Sequence, residues 1–169
     1  MAEILDSHPE ATGLAVRPKV LVYGFSRGAQ TANRFALAFP ERVAGDVATS
    51  AGTYTVPAAS FSNDGATAPL PFPYGVADLA QVAGVPFDPS GFASVPFWIG
   101  VGERDVDPAD VPPQWDPYIG DDRVERAHRF AAWVRRAGGS AQVQVVPGMG
   151  HGESIQERSE ALSFLAGLP

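Results

Sequence analysis

The feature that most constrains the fold is a short apolar run that passes through a glycine-bounded turn into a helical pattern. Val20-Leu-Val-Tyr23 is β-branched and aromatic, which favours a buried strand, and Gly24-Phe-Ser-Arg-Gly28 follows it directly. From Ala29 to Pro40, apolar residues recur every three or four positions, a spacing typical of an amphipathic helix. The sequence therefore predicts a strand, a sharp turn and a helix in immediate succession.

The alternation of strands and helices continues along the chain. Strands are predicted over 43–50, 96–102 and 141–146, and helices over 121–138, with Asp121 as N-cap, and over 153–168. Strands that alternate with helices form a parallel sheet with helices on both faces. The expected fold class is α/β, a three-layer sandwich with about four parallel strands.

Length and composition fit one domain. The chain has 169 residues, of which 45% are hydrophobic, and a domain usually has about 100–200 residues. Residues 53–95 are rich in proline and aromatic side chains and are too long for a simple connection. We expect a single domain over 1–169 that carries this segment as an insert, with a short helix around 76–83.

Charge and hydropathy exclude several classes of partner. Nineteen acidic and twelve basic residues give a net charge of −7, which is unsuited to a phosphate backbone. No apolar stretch approaches the roughly 18 residues that cross a bilayer, and the acidic first ten residues differ from a secretion signal. We expect a cytoplasmic protein that binds neither nucleic acid nor membrane.

The absence of cysteine excludes disulfides, thiolate metal sites and cysteine nucleophiles.

The Gly24–Gly28 segment fits the G-x-S-x-G pattern of a sharp strand-to-helix turn that presents its serine above the sheet edge. The turn is expected to be too sharp for side chains at the two flanking glycines. The backbone N–H of Arg27 and the positive end of the helix would face Ser26, where both can stabilise an oxyanion. The alternative interpretation is an ordinary turn that contains a serine.

A serine hydroxyl becomes a good nucleophile when a base accepts its proton, and the chain has three histidines. His151 follows the predicted strand 141–146 in a glycine-rich loop, at the same edge of a parallel sheet as Ser26. It is the candidate base, with a turn histidine as the alternative. His8 is expected in a solvated connector and His128 in a structural position on a helix.

A base of this kind is oriented by an acid, and three acids follow the predicted strand 96–102. We favour Asp105. Asp107 precedes Pro108 and is typical of a turn, whereas Glu103 directly abuts the strand. A solvated acidic turn is the alternative for all three.

Taken together, these segments resemble the carboxyl-terminal half of an α/β-hydrolase, nearest to the esterase and polyhydroxyalkanoate-depolymerase-like branch. The segments that carry the resemblance are Tyr23–Gln30, Phe97–Asp105, Arg123–Phe130 and Val146–His151. The resemblance implies strands equivalent to the fifth to eighth of that fold. It also implies ester hydrolysis through an acyl-serine intermediate, with Ser26, Asp105 and His151 as a catalytic triad and without a metal or organic cofactor.

The chain departs from the family at its start. Nineteen residues precede the elbow strand, and a parallel crossover takes a dozen or more, so the first four strands of the family's sheet are absent from this sequence. The loop after the third strand usually donates the second oxyanion-hole N–H. Arg27 would then be the remaining donor, and loss of one donor typically costs about 10²–10³ in turnover.

The same departure makes Val20–Tyr23 an edge strand with unpaired backbone groups. We expect a homodimer in which this strand pairs antiparallel with its twin, giving a sheet of about eight strands. The pairing would bring the twin's residues 17–19 near Ser26. The alternative is an amino-terminal half that is encoded separately or was removed.

Phe25, Tyr54 and Trp115 are the candidate residues of an acyl pocket above Ser26, although aromatic residues in this region could equally cover the sheet. The function expected is hydrolysis of a carboxylic ester with a small to medium acyl chain. One alternative is a catalytically impaired homologue that serves as an interaction or assembly module. Another is a peptidase or thioesterase that uses the same three residues.

Overall fold

The fold is described from a computed structural model, which covers Ser7, residues 11–13 and residues 17–169. His8 lies outside the described residues. Within residues 17–169 the strands and helices are, in chain order, β1 (Val20–Phe25), α1 (Arg27–Ala38), β2 (Val43–Thr49), β3 (Ser60–Asn63), β4 (Ala66–Pro69), α2 (Leu79–Ala83), α3 (Pro89–Ser94), β5 (Phe97–Gly102), α4 (Asp116–Ile119), α5 (Arg123–Arg136), β6 (Ala141–Val146) and α6 (Ile155–Ala166).

Four strands form the main sheet, in the order β1-β2-β5-β6, and every neighbouring pair is parallel. The predicted α/β class with about four parallel strands is therefore confirmed. Strand β1 lies at one edge of this sheet. Because all four strands run the same way, their carboxyl ends, and the loops that follow them, meet at one rim.

Helices cover both faces of the sheet, which confirms the three layers. On one face α1 and α5 bury an apolar stripe against the strands, and its members include Phe35, Phe130 and Val134. On the other face Ala161 and Leu165 of α6 pack on Val47 and Trp98. Burial of these side chains is the main stabilising contribution to the fold.

The insert differs from its prediction. Besides a helix, α2, that begins at Leu79, it contains an antiparallel hairpin, β3–β4, and the short helix α3. The hairpin closes through Asp64 and Gly65, whose φ angles are 49° and 81°. The sequence signal was present, because Asp-Gly is a preferred pair for a two-residue turn with positive φ at both positions.

Two helix starts also differ from the prediction. The N-cap of α5 is Asp122, whose side chain accepts a hydrogen bond of 2.8 Å from the backbone N–H of Glu125, so the prediction of Asp121 is wrong. Helix α6 begins at Ile155, since Ser154 and Glu157 form a capping box there. Within the part of the chain that the structure describes, no helix is both long and apolar enough to cross a bilayer.

Candidate active site

Ser26 occupies the turn between β1 and α1 with φ 54° and ψ −114°. A positive φ at a residue other than glycine costs on the order of 1–3 kcal/mol and persists where the surroundings enforce it. Here a 2.8 Å hydrogen bond from the Ser26 N–H to the carbonyl of Thr49, at the end of β2, helps to hold this backbone conformation. The turn therefore holds the serine at the carboxyl rim of the sheet.

The two glycines of the turn differ in their steric role. A Cβ on Gly24 would overlap the backbone of Gly28 and of Ala29, so this position requires glycine. A Cβ on Gly28 would meet nothing within 4 Å. The expectation that both flanking positions must lack a side chain is therefore wrong for Gly28, because the tight contact lies on the strand side of the turn.

His151 lies in the loop between β6 and α6, and its Nε2 is 3.1 Å from Oγ of Ser26. The imidazole packs against the ring of Phe25, with 5.2 Å between ring centroids, and its side chain is 35% exposed. The structure thus brings together two side chains that are 125 positions apart in the chain.

Asp105 follows β5 and is buried. One carboxylate oxygen, Oδ2, is 2.9 Å from Nδ1 of His151, and the other, Oδ1, accepts a 2.7 Å hydrogen bond from the Arg123 guanidinium. Since a carboxylate can only accept, Nδ1 of His151 is the donor in this pair. Nε2 then presents its lone pair to the Ser26 hydroxyl.

The other two acids of this turn have different contacts. Glu103 accepts a 2.7 Å hydrogen bond from the backbone N–H of Gly148, at the start of the His151 loop. Asp107 accepts one of 2.9 Å from the N–H of Ala109 and caps the 3₁₀ turn Pro108–Asp110. This contact agrees with the turn-forming role expected for Asp107.

Arg123 belongs to the site and was missed by sequence reasoning. It is the first residue of α5, is buried, and also donates 2.8 Å to the carbonyl of Asp110. Arg126, one turn later, is fully buried and donates to the carbonyls of Gly52 and Pro112. Two adjacent buried arginines leave no signal in sequence, because arginine at a helix start is ordinarily exposed.

The three candidate pocket residues have different positions. The Phe25 side chain is partly open and lies beside His151. Tyr54 is 1% exposed and stacks on Phe130 at 4.4 Å, so its expected place in an open pocket is wrong, because its ring packs the core. Trp115 is half-buried, and its indole N–H donates a 3.0 Å hydrogen bond to the Tyr54 carbonyl. This hydrogen bond joins the 108–120 segment to the insert.

Two chemical properties of the site bear on what it can do. Arg27 is the first residue of α1, and the first N–H groups of a helix have no partner within the helix, so its backbone N–H is a donor beside Ser26.

Among the residues that the structure describes, no group of three or more His, Asp or Glu side chains could hold a metal ion.

Comparisons with known proteins identify similar folds. No family model and no curated protein sequence matches the chain. Poly(aspartic acid) hydrolase-1 from Sphingomonas sp. KT-1 has a TM-score of 0.65 and 25% identity, covering 96% of this chain and 58% of that one. The poly(3-hydroxybutyrate) depolymerase LpqC from Bordetella parapertussis has a TM-score of 0.67 and 24% identity, covering 99% and 57%.

Acyl-protein thioesterase 2 from Zea mays has a TM-score of 0.57 and 16% identity, covering 98% of this chain and 62% of that one. The chain therefore spans less than two thirds of the length of these solved structures.

Proposed function

The chain has the fold of the carboxyl-terminal half of an α/β-hydrolase, and from that premise we propose that it is a serine hydrolase of carboxylic esters with a small to medium acyl chain. The observation that carries the proposal is the continuous contact from Ser26 Oγ to His151 Nε2, at 3.1 Å, and from His151 Nδ1 to Asp105, at 2.9 Å. The names of two similar structures, a depolymerase of a polyester and an acyl-protein thioesterase, support acyl transfer as the reaction class.

In the first half of the reaction, Oγ of Ser26 attacks the carbonyl carbon of the ester while Nε2 of His151 accepts the hydroxyl proton. Asp105 holds the imidazole in the tautomer that makes Nε2 the acceptor and stabilises the imidazolium that forms. Negative charge develops on the carbonyl oxygen, where the N–H of Arg27 can donate to it. Collapse of the tetrahedral intermediate expels the alcohol, which takes the proton from His151, and leaves the acyl group on Ser26.

In the second half, a water molecule attacks the acyl carbon and gives a proton to His151. The second tetrahedral intermediate releases the carboxylic acid, and the proton returns to Ser26. Apart from the ester and the water molecule, the reaction uses only side chains and a backbone N–H of this chain, and it requires no oxidant or reductant.

The proposal is tested with p-nitrophenyl acetate and butyrate and with a fluorophosphonate probe that labels activated serines. We expect Ser26→Ala to abolish labelling and to lower the hydrolysis rate by about 10³-fold or more, because a triad acts as a unit. Ser90→Ala, on an exposed position of α3, is the matched control and should leave both readouts unchanged. Equal rates for wild type and Ser26→Ala would refute the proposal.

The assignment of the acid is tested in the same assays. Asp105→Asn should lower turnover by about 10²-fold or more, since an amide at this position favours the wrong imidazole tautomer. Asp107→Asn should retain activity, because Asp107 caps the neighbouring 3₁₀ turn. Similar losses in the two variants would contradict the assignment.

A further inference from the structure

The loop that carries His151 receives little support from side-chain packing. It contains Gly148, Gly150 and Gly152, and a Cβ on any of these three glycines would meet nothing within 4 Å. Gly148 has a φ of 70°, and the His151 side chain is itself 35% exposed. Besides the contacts of the imidazole with Asp105, Ser26 and Phe25, the position of the loop backbone therefore depends on hydrogen bonds at the two ends of the loop.

Before His151, the loop is held by the turn that follows β5. Glu103 accepts from the N–H of Gly148 at 2.7 Å, and the N–H of Arg104 donates to the carbonyl of Met149 at 2.8 Å. These contacts tie the loop to the segment that carries Asp105. They do not connect it to the strands beside Ser26.

After His151, two residues connect the loop to those strands. The Gly152 carbonyl accepts a 3.2 Å hydrogen bond from the hydroxyl of Ser50, directly after β2, and the Glu153 side chain makes the remaining contacts. Oε1 of Glu153 accepts hydrogen bonds from the Tyr23 hydroxyl of β1, at 2.5 Å, and from the Thr49 hydroxyl of β2, at 2.6 Å. Its Oε2 accepts one of 3.2 Å from Arg158, and its side chain is 10% exposed. A single carboxylate two positions after the imidazole thus binds both strands that flank the serine.

Thr49 links this carboxylate to the turn itself. Its carbonyl accepts the Ser26 N–H at 2.8 Å, and its hydroxyl is 3.1 Å from the Gly24 carbonyl. The same hydroxyl lies closer to Glu153, at 2.6 Å. Thr49 therefore contacts both the backbone of the Ser26 turn and the end of the loop that carries His151.

The network is charged on the glutamate and neutral on the tyrosine. Burial acts to raise the pKa of Glu153, but hydrogen bonds from Thr49, Tyr23 and Arg158 outweigh it and hold that pKa below its usual value. Burial, together with the hydrogen bond to Glu153, raises the pKa of Tyr23 to about 12. Hydrogen bonds to an ionised acceptor are shorter and stronger than those between neutral groups, and the contacts of 2.5 Å from Tyr23 and 2.6 Å from Thr49 have such lengths.

We propose that Glu153 is a positioning residue, which holds His151 within reach of Ser26 by bonding its loop to Tyr23 and Thr49. The inference rests on the proposed function for its catalytic consequence, although the anchoring of the loop can be measured without any activity. Glu153 acts through His151 and has no contact with the reacting atoms in this scheme.

The test compares Glu153→Gln, Tyr23→Phe and the double variant with wild type in p-nitrophenyl butyrate hydrolysis. We expect Glu153→Gln to lower kcat by about ten-fold while KM changes little, because a misplacement of about 1 Å can cost up to 10²-fold in rate. Tyr23→Phe should have a smaller effect in the same direction. The loss in the double variant should be smaller than the sum of the two single losses, because both changes act on one contact: Glu153→Gln replaces its charged acceptor by a neutral one, and Tyr23→Phe removes its donor.

Glu160→Gln is the matched control, because Glu160 lies on helix α6, which follows Glu153, and pairs with Gln156 on the surface. It should leave kcat unchanged. A loss of kcat in Glu160→Gln equal to that in Glu153→Gln would overturn the proposal, and so would an unchanged kcat with a raised KM in Glu153→Gln.

Amide hydrogen exchange gives a readout that a general loss of stability would not reproduce. Glu153→Gln should accelerate exchange in the 147–152 loop and leave β5 protected as in wild type. Equal acceleration in both segments, or none in the loop, would overturn the anchoring role. If wild type neither hydrolyses esters nor labels with fluorophosphonate, the proposed function fails, whereas the exchange experiment still decides whether Glu153 anchors the loop.

Discussion

At the scale of single residues, Asp46 contrasts with the acids of the site. It is fully buried in β2, and neither carboxylate oxygen has a hydrogen-bond partner. Burial raises its pKa to about 8 from an ordinary value of 3.8, so the side chain is neutral in the folded protein at pH 7. Asp105 is also buried, but its two carboxylate oxygens have partners in His151 and Arg123.

This difference predicts a pH dependence of stability. Below pH 3.8 both the folded and the unfolded states carry the Asp46 proton, and between pH 3.8 and about 8 only the folded state retains it. The free energy of unfolding should therefore fall as the pH rises through this window, by at most about 1.4 kcal/mol per pH unit. Asp46→Asn removes the titrating group, so its stability relative to wild type should increase from pH 5 to pH 8.

Urea unfolding at pH 5 and pH 8 measures the effect. Asp64→Asn, on the exposed hairpin turn, is the control and should show no change relative to wild type between the two pH values. If wild type and Asp46→Asn had the same pH dependence, the buried neutral acid would be excluded.

At the scale of elements, the strand–turn–helix unit makes a prediction about its two glycines. Gly24→Ala should destabilise the protein by about 1–3 kcal/mol or more, because the new Cβ would overlap rigid backbone at Gly28 and Ala29. Gly28→Ala meets open space within helix α1 and should stabilise it by about 0.5–1 kcal/mol. Thermal unfolding of the two variants measures this asymmetry, and destabilisation of similar size in both would contradict it.

At the scale of the whole molecule, the edge of the main sheet at β1 is the most consequential feature, because among the described strands β1 pairs with β2 alone. Leu21 is 49% exposed there, and a groove of about 810 Å³ continues from β1 to the end of α6, lined in part by Val20, Leu165 and Leu168. An exposed strand edge is a template for pairing with another chain. The homodimer expected from the sequence stays a prediction, and this surface is where it would form.

Light scattering at micromolar concentration checks the prediction. Wild type should have the mass of a dimer, and Leu21→Lys should be monomeric, because a charged residue on an edge strand opposes pairing. Glu41→Gln, on an exposed position away from β1, should keep the wild-type mass. A wild-type monomer would exclude the dimer.

Much of the fold could be predicted because its signals are local. The parallel strands and most helix positions follow from apolar periodicity, which each segment carries by itself. Boundaries were less secure: Asp121 and Asp122 are both good caps, and the choice between them depends on which side chain reaches the N–H of Glu125. The hairpin at Asp64-Gly65 was missed because few strong strand formers flank its turn signal.

The sequence by itself determined the residue types and their order: a serine after the first strand, acids after the third strand of the main sheet, and a histidine after the last. Only the tertiary structure decided which acid meets His151, that Arg123 and Glu153 join the network, and that Tyr54 packs the core. The physical reason is the separation along the chain between the residues that interact. A turn or a helix depends on neighbours a few positions away, whereas Tyr23 and Glu153 are 130 positions apart and meet only because the packed sheet brings their segments together.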